Sequence, residues 1–198
     1  MSWSLLVSVA VFSFVTSVTP GPNNTFLLSS GANFGLRKSL PYLNGIMVGL
    51  AGMMIALGAG LGVIFTTLPL VYQVLKWVGF GYIVWLAFQI VKSTSKSETA
   101  EPKYIGFAKA TTFQFVNPKA WVVVASFMAT SVPVGSGLGA TAFICIVFLV
   151  FTYPGALLWA VAGQVLKTWL SDTIRRRVFN IVASILLVLS MVPVLFFH

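Results

Sequence analysis

Acidic side chains are almost missing from this chain. Glu98, Glu101 and Asp172 are the only three carboxylates in 198 residues, and none lies inside a long apolar run. Histidine is equally scarce: the single one, His198, is the last residue. A zinc or iron site therefore has almost nothing to be built from, so neither metal nor cofactor is expected. An intramembrane enzyme would lack a catalytic constellation, and the reading is not an enzyme. The one cysteine, Cys145, sits in an apolar run and reads as packing. It excludes an internal disulfide and any CxxC redox pair. Charged residues make up only 8% of the chain.

What fills the space is apolar. Hydrophobic residues make up 58%, and the mean hydropathy is +0.98. No soluble domain of this length hides that much apolar surface, so the chain reads as an all-α polytopic membrane protein in a lipid bilayer. A formal net charge of +9 invites a nucleic-acid reading. The cations instead flank apolar stretches, where they orient membrane helices, and no nucleic-acid partner is expected. The N-terminus lacks a basic leader and a small-residue cleavage site, and reads as a first spanning helix.

Six spans are expected: Trp3–Phe34, Tyr42–Phe65, Leu70–Lys92, Gly106–Thr130, Leu138–Val161 and Arg177–Phe197. Each exceeds the ~20 residues that a spanning helix needs. The longest connection, Ser93–Tyr104, is polar and contains Pro102. It divides the chain into a first three-span unit (1–92), a linker (93–105) and a second three-span unit (106–198). Trp3, Tyr72, Trp77 and Trp169 lie near span ends, as interfacial anchors do. Ten of the twelve basic residues cluster around Arg37–Lys38, the middle linker and Arg175–Arg177. The positive-inside rule places these loops in the cytoplasm and both termini outside.

Two spans carry breaks. Pro20-Gly21-Pro22-Asn23-Asn24 interrupts the first and Asn117-Pro118-Lys119 the fourth, with Pro20 and Pro118 98 residues apart. Three spans per half is an odd number, so tandem halves lie in opposite orientations. Matched breaks in two inverted repeats, with helices 1 and 4 discontinuous, are the plan of many secondary transporters, whose substrates bind at the breaks. Unpaired backbone in hydrocarbon survives only where protein or water satisfies it. The helix restarting near Asn23 aims N–H groups at the break, a favourable place for a carboxylate. The bland alternative is a kink filled by neighbouring helices.

Lys119 is the one ionisable side chain deep in a span, about 20 Å from its start at 1.5 Å per residue. Snorkelling to the interface is difficult from there. A buried lysine pairs with a substrate carboxylate, gives up its proton, or faces a wet cavity. Lys76, nearer a span end, reads as snorkelling. Gly45/Gly49 and Gly58/Gly62 have the GxxxG spacing and read as intramolecular packing, with a homodimer interface as the alternative. At Gly21 a valine is expected to be damaging through backbone restriction.

The sequence around Thr19-Pro20-Gly21-Pro22-Asn23, with Gly31, Gly35, Arg37 and Ser39, resembles the opening of the LysE/RhtB family of bacterial amino-acid exporters. Phe115-Val116-Asn117-Pro118-Lys119-Ala120 resembles that family's second signature, and Gly79-Phe80-Gly81-Tyr82 with Trp85 its third span. Pro22-Asn23-Asn24 and Phe113–Asn117 look closest to the cysteine and O-acetylserine exporter branch. The resemblance implies proton-driven export of amino acids from the cytoplasm through a bacterial inner membrane. It implies one discontinuous site at Pro20, Gly21, Pro22, Asn23 and Asn24 and a second at Asn117, Pro118 and Lys119. With no acid in any span, a lysine or arginine carrier is disfavoured and small neutral substrates such as cysteine, O-acetylserine, homoserine or threonine are expected. Lys119 is also the candidate for proton coupling. A small-solute channel, or an exporter of another amino-acid class, is the alternative.

Overall fold

The computed structural model describes residues 2–61, 69–93, 105–132, 137–169 and 172–189, and these form helices with no strand among them. The helices are α1 (Trp3–Val18), α2 (Pro22–Phe34), α3 (Leu36–Ala56, continued by a π turn over Leu57–Leu61) and α4 (Pro69–Ser93). Then come α5 (Phe107–Val116), α6 (Pro118–Ser131), α7 (Leu138–Leu166) and α8 (Thr173–Leu189). Leu36–Ala59 and Leu138–Leu166 are each long and apolar enough to cross a membrane. A third span arises if α1 and α2, bent by 61° at their junction, count as one.

Local chemistry explains the boundaries. Ser2 caps α1, its hydroxyl accepting from the Leu5 N–H at 3.3 Å. Pro20 forces Thr19 out of the helical region, to φ −66° and ψ 126°, and α1 stops. Pro22 and Pro118 both stand at the first position of a restarting helix, where a missing N–H is harmless. Gly35, at φ 83°, turns the chain from α2 into α3 in a conformation that favours glycine.

The breaks thus fall where expected, but two starts do not. α3 begins at Leu36 rather than Tyr42, because the Gln164 Oε1 accepts the Leu36 N–H at 2.6 Å and Pro41 is accommodated inside the helix. α8 begins at Thr173 rather than Arg177, with the Asp172 carboxylate accepting the Arg175 N–H at 2.9 Å as an N-terminal cap. Lys96 and Lys103 of the linker, the outer connections at 62–68 and 133–136, and the end of the sixth expected span lie outside the described residues.

α7 is the central post: α1 and α2 pack along it, and α3 crosses it. α5 packs on α3, and α4 pairs with α8. Glycines set the close approaches. A side chain on Gly31 would meet the Ala160 carbonyl of α7, and one on Gly163 the Leu28 carbonyl of α2. On α3, Gly45 and Gly49 face Phe107, Ala110 and Gln114 of α5, so this GxxxG pair packs within the chain. Gly58 has no described neighbour within 4 Å of where a Cβ would stand. Phe12, Phe127 and Phe148 stack at the core, with the last two ring centroids 4.3 Å apart. Cys145 packs with its sulfur 3.9 Å from that of Met128. Outward faces stay apolar: Trp3, Ile55, Leu138 and Val165 are all more than 70% exposed. In water such a surface would aggregate; in a bilayer it is the lipid contact.

Candidate functional site

At each break the backbone loses its regular partners, and side chains replace them. In the first break the Ser17 and Thr19 carbonyls accept from the Asn24 side-chain amide at 2.8 and 2.7 Å. In the second, Asn117 caps α6, its Oδ1 accepting the Lys119 N–H at 3.2 Å. The indole N–H of Trp121 donates to the Phe115 carbonyl at 2.9 Å. Most of what each break needs is supplied locally. Asn24, buried, and Asn117, more deeply buried, hold the two junctions in shape.

The remaining needs are met across the molecule. The Lys119 ammonium donates to the Thr19 and Pro20 carbonyls at 2.9 and 2.6 Å, although the residues are about a hundred positions apart. It thereby sits on the carbonyl end of α1, where the helix dipole favours a cation. Asn23 and Gln114 exchange two amide hydrogen bonds, of 2.8 and 3.0 Å. Gln114 has no solvent exposure and also donates to the Ala110 carbonyl at 2.9 Å. The two breaks therefore form one junction. Pro20, Gly21, Pro22, Asn23, Asn24, Asn117, Pro118 and Lys119 are brought together there.

A cavity of about 70 Å³ opens at this junction. Asn23, Asn24 and Lys119 give it a polar wall, and Ile46, Leu50 and Phe148 an apolar one. Gly21 has a specific job. Its φ of −176° is ordinary extended backbone, so the expected restriction by a β-branched residue is not the reason for glycine here. A Cβ would instead lie 2.6 Å from the Lys119 Nζ and 2.8 Å from its Cδ, so the lysine passes only where no side chain stands.

Two residues of this site were not anticipated. Gln114 carries a weak signal, a lone amide in an apolar helix. Thr152 of α7 carries none in the sequence, yet lines the cavity. The side chain of Lys76 lies outside the described residues. Among the described residues, no group of three or more His, Cys, Asp or Glu side chains is placed to hold a metal.

The Asn23–Gln114 pair yields a stability prediction. Gln114→Leu strands the Asn23 amide and is expected to cost about 1–3 kcal/mol, whereas Asn23→Leu with Gln114→Leu recovers much of that loss. Thermal unfolding of the purified variants in detergent reads this directly. Additive losses in the double variant would show that the two amides are not coupled.

Comparison with known proteins identifies the family. The family model for the LysE type translocator matches residues 14–195. The cysteine/O-acetylserine efflux protein of Salmonella typhimurium (strain LT2) is 31% identical over 198 residues, covering 99% of this chain and 100% of that protein. The protein of the same name from Escherichia coli (strain K12) is also 31% identical, with the same coverage. No solved structure matches the chain. A family match over residues 14–195, with full-length relatives 31% identical across 99% of the chain, places this chain in the LysE type translocator family.

Proposed function

We propose that this protein is a secondary exporter of small neutral amino acids or their derivatives, of the cysteine, O-acetylserine, homoserine and threonine type, in the bacterial inner membrane. The observation that carries the proposal is the junction itself. An ammonium group has three hydrogens to donate, and Lys119 spends two on Thr19 and Pro20. Among the described residues the third has no acceptor, which would leave it for a substrate carboxylate beside the N-terminus of α2. No acid among the site residues would neutralise a cationic substrate side chain, and the relatives' printed names concern neutral amino acids.

The cavity is well below the ~300 Å³ of a typical ligand cleft, so a whole amino acid enters only when helices part. In this reading the tight α2–α7 and α3–α5 contacts, made at Gly31, Gly163, Gly45 and Gly49, would close the path between the junction and the basic end of the molecule. Alternating access would consist of opening these contacts while those around α1 and α6 close. Six spans in two inverted repeats, 1–92 and 106–198, suit this motion. When the halves are exchanged the α1–α7 pairing is the counterpart of α5–α3, and α3–α7 and α4–α8 map onto themselves, whereas the close α2–α7 pairing has only a slight counterpart in α6–α3. The basic loops put both termini in the periplasm. Proton coupling would fall to Lys119, or to water with the substrate amine.

Efflux from loaded proteoliposomes tests the reading. O-acetylserine and cysteine are expected to leave at least tenfold faster than lysine or arginine, with saturation and counterflow. Lysine as the best substrate would overturn the substrate class. Flux that neither saturates nor shows counterflow would favour a channel.

A further inference from the structure

The hydroxyls around the junction follow one rule, with one exception. Thr16 donates to the Phe12 carbonyl at 2.8 Å, Ser17 to Phe14 at 2.8 Å, and Thr25 to Gly21 at 3.1 Å. Each satisfies itself on its own helix, the usual habit of such residues in apolar helices. Thr152 does not. It is 6% exposed, its hydroxyl has no hydrogen-bond partner among the described residues, and it lines the cavity. Leaving a buried hydroxyl unpaired is unfavourable, and a native structure that keeps one calls for a reason.

Its neighbours suggest that reason. Phe148 and Ala156, one turn to either side on α7, line the same cavity, with Ile46 and Leu50 from α3. This wall is apolar except for Thr152. The same cavity is lined by Lys119, Asn23 and Asn24, which suit an amino-acid carboxylate and ammonium. A substrate held there by its head group would lay its side chain against the α7 wall.

We infer that Thr152 is a specificity-determining residue, whose hydroxyl hydrogen-bonds a polar atom on the substrate's side chain and so favours substrates that carry one over aliphatic isosteres. This inference rests on the transport reading above and adds the side-chain half of the site to it. A hydroxyl without a charge suits a neutral oxygen or sulfur at the second or third side-chain position. It offers nothing to a carboxylate or an ammonium that water would not offer better.

The test uses serine and 2-aminobutyrate, a near-isosteric pair that exchanges a hydroxyl for a methyl group. Efflux of each is measured from proteoliposomes holding the wild type, Thr152→Val or Thr152→Ser, with thermal unfolding of each purified protein alongside. Thr152→Val keeps the shape and removes the hydroxyl. It is expected to lower the serine to 2-aminobutyrate rate ratio about three- to tenfold, the worth of one neutral hydrogen bond. Efflux of 2-aminobutyrate and thermal stability should hold or rise, since an unpaired buried hydroxyl has been removed. Thr152→Ser should keep the wild-type ratio. An unchanged ratio in Thr152→Val would overturn the inference while leaving the transport reading intact. So would a fall in both substrates together with lower stability, because the hydroxyl would then be structural. A wild type that moves no neutral amino acid would overturn the transport reading and this inference with it.

Discussion

Lys119→Met is expected to abolish export, and Lys119→Arg to retain part of substrate binding. A charge-assisted hydrogen bond to a carboxylate is worth about 1.5–3 kcal/mol, so losing it should weaken apparent affinity by about 10- to 100-fold. The same substitution leaves the Pro20 carbonyl without its 2.6 Å donor, and stability should also fall, by about 1–3 kcal/mol. Arginine keeps the charge but brings a planar fork where the structure has made room for a slim ammonium chain. Two roles for Lys119 separate here. If it only holds the carboxylate, Lys119→Arg loses exchange and uphill export in parallel. If it also carries the coupled proton, Lys119→Arg keeps binding and exchange but loses gradient-driven export, since a guanidinium does not release its proton. Measuring binding, exchange and uphill export separately resolves the two. Wild-type behaviour of Lys119→Met in all three would remove the residue from the mechanism.

Gly21→Val should approach the same loss by a different route. Any Cβ at Gly21 would lie 2.6 Å from the Lys119 Nζ, 2.8 Å from its Cδ and 3.2 Å from its Cε. The lysine must move, and it cannot keep both carbonyls of the first break. Because the backbone at Gly21 is extended, Gly21→Ala should be damaging too, with valine worse only by its extra bulk. Export by the two variants, compared with Lys119→Met, checks this. Normal export by Gly21→Ala would show that the lysine yields freely and that its contacts with Thr19 and Pro20 are dispensable. If alanine is harmless and valine is not, backbone restriction would be the better account.

The sequence makes the breaks legible because Pro20 and Pro22 flank Gly21 and Pro118 follows Asn117, whereas the lone Pro41 and Pro154 are accommodated inside α3 and α7. Pro20, Pro22 and Pro118 each remove an N–H, and the helices end and restart where those residues stand. The depth of Lys119 could be counted along an apolar run in the same way. Its partners could not. That its ammonium lies on Thr19 and Pro20, or that Asn23 meets Gln114, depends on how two distant segments cross, and no local pattern encodes the crossing. The early start of α3 is a similar case, since the side chain that secures Leu36 comes from Gln164 of α7. Asp172, by contrast, is a local cap for α8, three residues before the Arg175 N–H that it accepts. Thr152 looks like any threonine in an apolar helix until its missing partner is seen. Gly21 shows the right residue chosen for the wrong reason: glycine is needed there for space, not for backbone freedom.

The central claim is that the junction of the two breaks is the substrate site, and binding to the purified protein tests it most directly. Thermal unfolding in detergent, with and without O-acetylserine, should show stabilisation of the wild type that grows with ligand concentration, reaching about 2.7 kcal/mol at a hundred times Kd. Folded Lys119→Met, with its affinity about 10- to 100-fold weaker, should show only about 0.4–1.4 kcal/mol at the same concentrations. Equal stabilisation of both proteins would place the substrate elsewhere and leave the junction as a structural kink.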